Sequence, residues 1–173
     1  MTSQRPSAPP PPLRTAVPRP PFDRWPVQAY DPSFGFAWYT QPATFVTQLT
    51  VEHGTLACAR FIQDHIDLVL EQRSEDVASA GGLLILHDWR AAASYDLEAR
   101  REFIERMRAR PRSYSRHAVT CMAFSPMLRM VVEAGNLVLT LVTGTKGEIA
   151  SDPAPVIAKH RIEVPRAARF PGR

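Results

Sequence analysis

Apolar and polar residues follow a strand-like pattern and then a helix-like pattern. Residues 34–40 and 44–52 alternate apolar with polar positions, are rich in aromatic and β-branched side chains, and are separated by a short Gln-Pro-Ala segment. This pattern predicts a β-hairpin. After Thr55, which is suited to cap a helix, apolar residues recur at steps of three and four. The predicted helix buries Ala59, Ile62, Ile66, Val69 and Leu70 and exposes Arg60, Gln63, Asp64, Asp67 and Glu71.

The next part of the chain alternates strands with helices. Residues 83–86 are apolar on both faces, which predicts a central strand covered on both sides. An amphipathic helix is predicted over 96–110, with Pro111 at its end, and another strand over 115–124. The buried side of this helix is predicted to consist of Leu97, Phe103, Ile104 and Met107.

A strongly apolar helix is predicted over 126–143. Ser125 and Pro126 are suited to its start, and its polar residues fall on one narrow stripe. These polar residues are Arg129, Glu133, Asn136 and Thr140. The remaining surface needs cover from the sheet, from another helix, or from a second copy of the chain in a homodimer. A short edge strand over 147–151 and a last helix over 153–159 follow.

The order of these elements predicts the fold class. Strands that are separated by helices need crossover connections, which places the later strands parallel. We therefore expect one α/β domain over 33–160 with a mixed sheet. Ten of the 17 prolines lie in residues 1–32, which predicts an extended, disordered arm, and residues 161–173 are interpreted as a flexible tail.

Composition narrows the functional classes only slightly. The formal net charge of +4 is a mild excess that does not favour nucleic acid as a partner. We find no secretory signal and no membrane-spanning segment, and we expect a cytoplasmic protein. Cys58 and Cys121 are predicted to be buried free thiols. The five histidines are too scattered to predict a metal site, and no phosphate-binding glycine motif is present.

The most distinctive polar cluster follows the predicted central strand. His87, Asp88 and Trp89 lie at its carboxyl end, where open α/β sheets place ligand sites. Adjacent residues on a strand point to opposite faces, so His87 and Asp88 cannot both act on one substrate atom while the strand continues. We therefore expect Asp88 to order the following loop through backbone amides. The side chain of Trp89 is expected to be exposed or half-buried and to anchor a binding partner.

The start of the next helix adds Ser94, Tyr95 and Asp96 to the candidate site. Ser94 is suited to cap the helix, and it is also a candidate for phosphorylation because a helix N-terminus favours negative charge. A small hydrolase built on His87, Asp88 and Ser94 would require these side chains to converge, and no nucleophile-elbow motif supports it.

One cluster of basic residues follows the same helix. It consists of Arg106, Arg108, Arg110, Arg112 and Arg116. The cluster is a candidate for binding an acidic partner, but the spacing of Glu102 and Arg106 favours pairing on the helix surface instead.

The segments LLILHDW, YDLEARREF and HAVTCMAFSPMLRMVV resemble the STAS domain family, most closely its SpoIIAA-like branch, which is related to the CRAL-TRIO lipid carriers. The resemblance implies a sheet of four or five strands, with helices packed mainly on one face, in a module without catalytic activity. STAS antagonists carry a phosphorylatable residue in an Asp-Ser-(Ser/Gly)-Gly loop. Here Asp88 matches that loop, whereas the segment to Ser94 is longer and lacks glycine.

The sequence therefore predicts a regulatory module, without enzymatic activity or a cofactor, that binds a protein partner through residues 87–96. The alternative is a carrier or sensor of a lipid or other small apolar ligand. That alternative requires a cavity, which we would expect between the sheet and the helix over 126–143.

Overall fold

The computed structural model describes residues 28–123 and 126–164, which form an α/β domain with a mixed sheet. The strands are β1 (Gln28–Asp31), β2 (Gly35–Thr40), β3 (Thr44–Leu49), β4 (His53–Gly54), β5 (Leu83–Asp88), β6 (Ser94–Tyr95), β7 (Ser115–Cys121) and β8 (Lys146–Ala150). The helices are α1 (Leu56–Gln72), α2 (Ser74–Ser79), α3 (Leu97–Ala109), α4 (Pro126–Thr143) and α5 (Pro153–His160).

Six strands form the main sheet in the order β1-β2-β3-β5-β7-β8. The first three are antiparallel, and β3, β5, β7 and β8 are mutually parallel, as the crossover helices require. β4 and β6 form a separate parallel pair of two residues each. The predicted α/β class and mixed sheet are confirmed.

The helices lie mainly on one face of the sheet. We call this the helix face: α1, α3 and α4 pack there on alternate sheet residues such as Phe45 and Ile85. On the opposite face, which we call the α5 face, Val156 of α5 and Ile162 cover Leu84 and Leu86. β5 is therefore buried on both sides, as its continuous apolar pattern predicts.

The main sheet has six strands, one more than the largest number predicted, and the additional strand is β1. Residues 28–31 pair with β2, although they follow the prolines and were assigned to the arm. The predicted tail also begins too early, because Ile162 is buried on the α5 face. Residues 1–27, 124–125 and 165–173, which include the rest of the arm, Ser125 and the rest of the tail, lie outside the described residues.

Two predicted orientations are wrong for local reasons. Gln63 of α1 is buried, because Arg110 donates hydrogen bonds to its side-chain oxygen (2.6 Å) and its backbone carbonyl (3.0 Å). Leu97 is more than half exposed, because it lies in the first turn of α3. The predicted cap of α1 is confirmed, since Thr55 Oγ1 accepts a hydrogen bond from the Cys58 amide at 3.3 Å.

Candidate functional site: a cavity beneath helix α4

β5 continues through Asp88, so His87 and Asp88 point to opposite faces of the sheet. His87 lies on the helix face, where its Nδ1 is 2.7 Å from Thr47 Oγ1 on β3. Asp88 lies on the α5 face and accepts a hydrogen bond from Gln48 Nε2 at 3.4 Å. The two side chains therefore cannot act on one substrate atom.

Asp88 orders the loop after β5. It is 2% exposed, and its carboxylate accepts hydrogen bonds from Arg90 Nε (2.8 Å), Nη2 (3.1 Å) and the backbone amide (3.4 Å). The same guanidinium lies 3.7 Å from Asp152, whose carboxylate caps α5 through the Ala154 amide. The expectation that Asp88 ties this loop is confirmed, and the arrangement also fixes α5.

His87 belongs to an aromatic cluster on the helix face. Its ring stacks on Trp89 with centroids 4.7 Å apart, and Trp89 lies 5.0 Å from Tyr95 and 5.5 Å from Phe103. Burial lowers the pKa of His87 to about 3, so the ring is neutral at physiological pH. This cluster connects the end of β5 to the start of α3.

Trp89 is only 8% exposed, so the expectation of an exposed or half-buried anchor is wrong. The reason is the position of the side chain, which follows Ile85 and His87 on the inward face of the chain. Trp89 Nε1 and the Tyr95 hydroxyl are both buried and have no hydrogen-bond partner within the described part of the chain. A water molecule or a ligand can satisfy buried polar groups of this kind.

The aromatic cluster lies at the wall of a cavity of about 410 Å³ between the sheet, α3 and α4. This size falls within the range of about 300–1,000 Å³ that is common for ligand pockets. Most of the side chains that line it are apolar. They include Ile66, Ile85, Phe103, Ile104, Met107, Ala118, Leu128, Val132, Val138 and Leu139, with His87, Trp89 and Tyr95 among the polar or aromatic members.

Gly135 marks the roof of the cavity. It lies on the same inward line of α4 as Val132 and Leu139, and a Cβ added to it would meet no atom within 4 Å. A side chain at this position would ordinarily fill the space under the helix. The glycine leaves that space open.

The side of α4 that faces away from the sheet is exposed, although Met130 and Ala134 on this side also line the cavity. Met130, Leu137 and Leu141 are 65%, 61% and 74% exposed, so the described part of the chain does not cover the helix completely. On another side of α4, the polar residue Asn136 packs closely against Gly147 of β8. This contact positions α4 against the edge strand.

Ser94 is hydrogen-bonded to a histidine that the sequence analysis did not select. Its hydroxyl lies 2.7 Å from His53 Nδ1, and His53 Nε2 lies 2.7 Å from Asp96 Oδ1. This order resembles a catalytic triad, which acts together with free backbone amides that bind an oxyanion. Here the amides of Ala93 and Ser94 donate to the Glu52 carbonyl, and the amide of Asp96 donates to the Gly54 carbonyl. With those amides occupied and the side chains partly exposed, we interpret the cluster as a clasp between β4 and β6. Ser94 also does not cap α3, whose N-cap is Asp96.

The predicted basic cluster is divided among different contacts. Arg106 pairs with Glu102 (3.0 Å) as predicted, and also with Asp64 and Asp67. Arg110 binds Asp67 and Gln63, and Arg116 donates to the carbonyls of Ala80, Gly82 and Pro42. Arg108 and Arg112 are exposed and make no ion pair within residues 28–123 and 126–164.

The cysteines, possible metal ligands and possible membrane-spanning helices were the other features considered from the sequence. Cys58 and Cys121 are free and buried, as predicted, and burial raises their pKa values to about 11 and about 12. In the described ranges, no group of three or more His, Cys, Asp or Glu residues is placed to hold a metal ion. None of the described helices has the length and hydropathy to cross a membrane.

Comparison with known proteins concerns the fold. No protein-family model matches the chain, and no curated protein matches it. The chain is similar to a solved structure from Shewanella loihica PV-4, an uncharacterized protein from the DUF3478 family with a SpoIIAA-like fold. The match has 13% sequence identity and a TM-score of 0.38, and it covers 72% of this chain and 84% of that one. The description of that protein names no ligand or partner.

Proposed function

We propose that this protein is a non-catalytic binding protein for a small, predominantly apolar molecule held in the cavity beneath α4. The observation that carries this proposal is an apolar cavity of about 410 Å³ lined by Trp89 and Tyr95, whose indole nitrogen and hydroxyl are buried and have no hydrogen-bond partner in the described residues. Apolar cavities with a few fixed polar groups are typical of small-molecule sites. This favours the carrier or sensor alternative over the regulatory role predicted first.

Fluorescence of the neutral apolar probe N-phenyl-1-naphthylamine tests this proposal. We expect the wild-type protein and Gly135→Ala to bind the probe with similar affinity. Gly135→Leu should bind it at least about tenfold more weakly, because the leucine side chain occupies the cavity. Equal binding by Gly135→Leu, with its folding verified by circular dichroism, or no binding by the wild type would contradict the proposal.

We also propose a homodimer through the outer face of α4. Met130, Ala134, Leu137 and Leu141 follow each other at steps of four, three and four, and the three large side chains are exposed. A twofold antiparallel pair of such helices places Met130 opposite Leu141 and Ala134 opposite Leu137 of the second copy. Steps of three and four are typical of helix-pairing seams, and twofold contacts use the same patch twice.

Sedimentation velocity tests the homodimer. The wild type should sediment as a dimer, and Leu137→Glu should shift it to a monomer because the change places a charge in the apolar seam. Arg129→Gln, on the same helix beside the seam, should remain dimeric. A monomeric wild type at micromolar concentration would contradict the proposal.

The regulatory role through residues 87–96 stays a prediction. Of its six residues, His87, Asp88, Trp89 and Tyr95 are buried, so a protein partner could contact Ser94 and Asp96 directly. Phosphorylation of Ser94 would place negative charge beside Asp96. A pull-down with Ser94→Asp and Ser94→Ala would show a lost or gained partner if the prediction is correct, and the same partners for both if it is not.

A further inference from the structure

Three residues that line the cavity carry a buried hydrogen-bond donor without a partner in the described part of the chain. Trp89 Nε1 carries a hydrogen that it can only donate. Burial raises the pKa of Tyr95 well above its usual value, so this hydroxyl keeps its proton. Arg100 Nε is also buried and has no hydrogen-bond partner within the described residues. These three groups lie within twelve residues, along the connection from β5 into α3.

The charged residues that line the cavity also favour a negatively charged ligand. Two arginines line the cavity, Arg100 and Arg110, and no acidic residue does so in the described part of the chain. Arg110 is neutralised by Asp67, at 2.7 Å, and bound by Gln63. The guanidinium of Arg100 donates to the Tyr95 carbonyl at 3.3 Å and has no carboxylate partner among residues 28–123 and 126–164.

A buried or partly buried cation is stabilised when an anion pairs with it. The carbonyl of Tyr95 is neutral and supplies only one hydrogen bond. A ligand with a single negative charge would supply the missing anion for Arg100, and its oxygens could accept from Tyr95 and Trp89. A carboxylate has this charge and this acceptor geometry, and it pairs well with a guanidinium.

We infer that the ligand of this cavity is an amphipathic carboxylic acid, with its carboxylate at Trp89, Tyr95 and Arg100 and its apolar chain or ring beneath α4. This inference rests on the proposed function, because it specifies the molecule that the cavity holds. The remaining lining, including Ile66, Leu128 and Leu139, would contact the apolar part.

Isothermal titration with decanoic acid and 1-decanol tests the inference, because the two molecules share one chain and differ in the head group. The wild type should bind the acid at least about tenfold more tightly than the alcohol, since hydrogen bonds to a charged group are stronger than neutral ones. In Arg100→Gln this preference should disappear, while the affinity for the alcohol stays the same. Arg101→Gln, an exposed change on the same helix, should keep the preference.

The outcomes separate the two proposals. If acid and alcohol bind equally to the wild type, or if the preference survives in Arg100→Gln, the inference is wrong and the apolar binding function stands. If neither molecule binds and N-phenyl-1-naphthylamine does not bind either, the proposed function is wrong, and the inference is wrong with it.

Discussion

His87 and Asp88 are neighbours on β5, yet their side chains lie in very different environments on opposite faces of the sheet. On the α5 face, Asp88 accepts hydrogen bonds from Arg90 and Gln48, and Arg90 also approaches Asp152. On the helix face, the neighbouring polar groups of Trp89 and Tyr95 are buried without partners and border a cavity. The carboxylate of Asp88 is therefore paired within the chain, whereas the Trp89 indole nitrogen and the Tyr95 hydroxyl are not paired within the described residues.

This difference indicates that the surroundings of Asp88 are structural and that the surroundings of Trp89 and Tyr95 can bind. A buried polar group that is completely paired stabilises one conformation and has nothing left to offer a ligand. A buried donor without a partner costs free energy, about 1–3 kcal/mol for a neutral group, and a ligand can recover that cost. The four predictions below test this contrast between the two faces.

The largest loss of stability from a single substitution at neutral pH is expected from Asp88→Ala on the α5 face. The change leaves the Arg90 guanidinium partly buried without its main partner, and we expect the free energy of unfolding to fall by about 3 kcal/mol. Urea unfolding measures this. Asp64→Ala, which removes an exposed partner of Arg106, should cost less than about 1 kcal/mol. Equal losses in the free energy of unfolding for the two variants would contradict the structural role of Asp88.

Gly54→Ala should disturb the helix face. A Cβ at this position would overlap the ring of Tyr95, so only glycine allows the ring to lie against β4. We expect a loss of about 1–3 kcal/mol in the free energy of unfolding, together with weaker binding of N-phenyl-1-naphthylamine. Unchanged stability and unchanged probe binding would mean that Tyr95 does not occupy this position.

His87 predicts a pH dependence. Its pKa in the folded protein is about 3, against an ordinary value of 6.5, so between these values the unfolded chain binds the extra proton. The stability supplied by neutral His87 is therefore present above pH 6.5 and lost as the pH falls towards 3, by about 1.4 kcal/mol per pH unit. Unfolding of His87→Asn over this range should show a shallower slope than the wild type. Parallel slopes would place His87 outside the buried site.

The smallest effect concerns the roof of the cavity. Gly135→Ala should raise the free energy of unfolding by about 1 kcal/mol, because alanine favours the helix and its Cβ meets no atom within 4 Å. Thermal unfolding measures the change. A destabilised Gly135→Ala would indicate that the space beneath this residue is already filled.

Much of the fold could be predicted because the periodicity of apolar residues reports burial directly. The continuous apolar run before His87 predicted a strand covered on both faces, and the alternation along β5 separated His87 from Asp88. β1 could not be predicted, because four residues after a proline-rich segment carry no periodic signal and their pairing depends on β2. Gln63 has a solvent-like position in the helix pattern, and only the distant Arg110 explains its burial.

The site could be predicted only in part. Trp89 at the end of β5 lines a cavity, and that cavity lies between the sheet and α4, where the carrier alternative expects one. The role of Gly135 could not be predicted, because a helical glycine has no sequence signal that separates an open roof from a tolerated defect. Arg100 was also missed, because an unpaired cation is visible only when its neighbours in space are known. His53 could be linked to Ser94 only after β4 and β6 had been paired.

The most direct test of the binding face uses nuclear magnetic resonance of isotope-labelled isoleucine methyl groups during titration with N-phenyl-1-naphthylamine. Ile66, Ile85 and Ile104 line the cavity, whereas Ile157 and Ile162 pack on the α5 face. We predict that the first three methyl signals shift, because the aromatic probe enters beneath α4, and that the other two do not. Shifts confined to Ile157 and Ile162, or no shifts at a saturating probe concentration, would contradict the account.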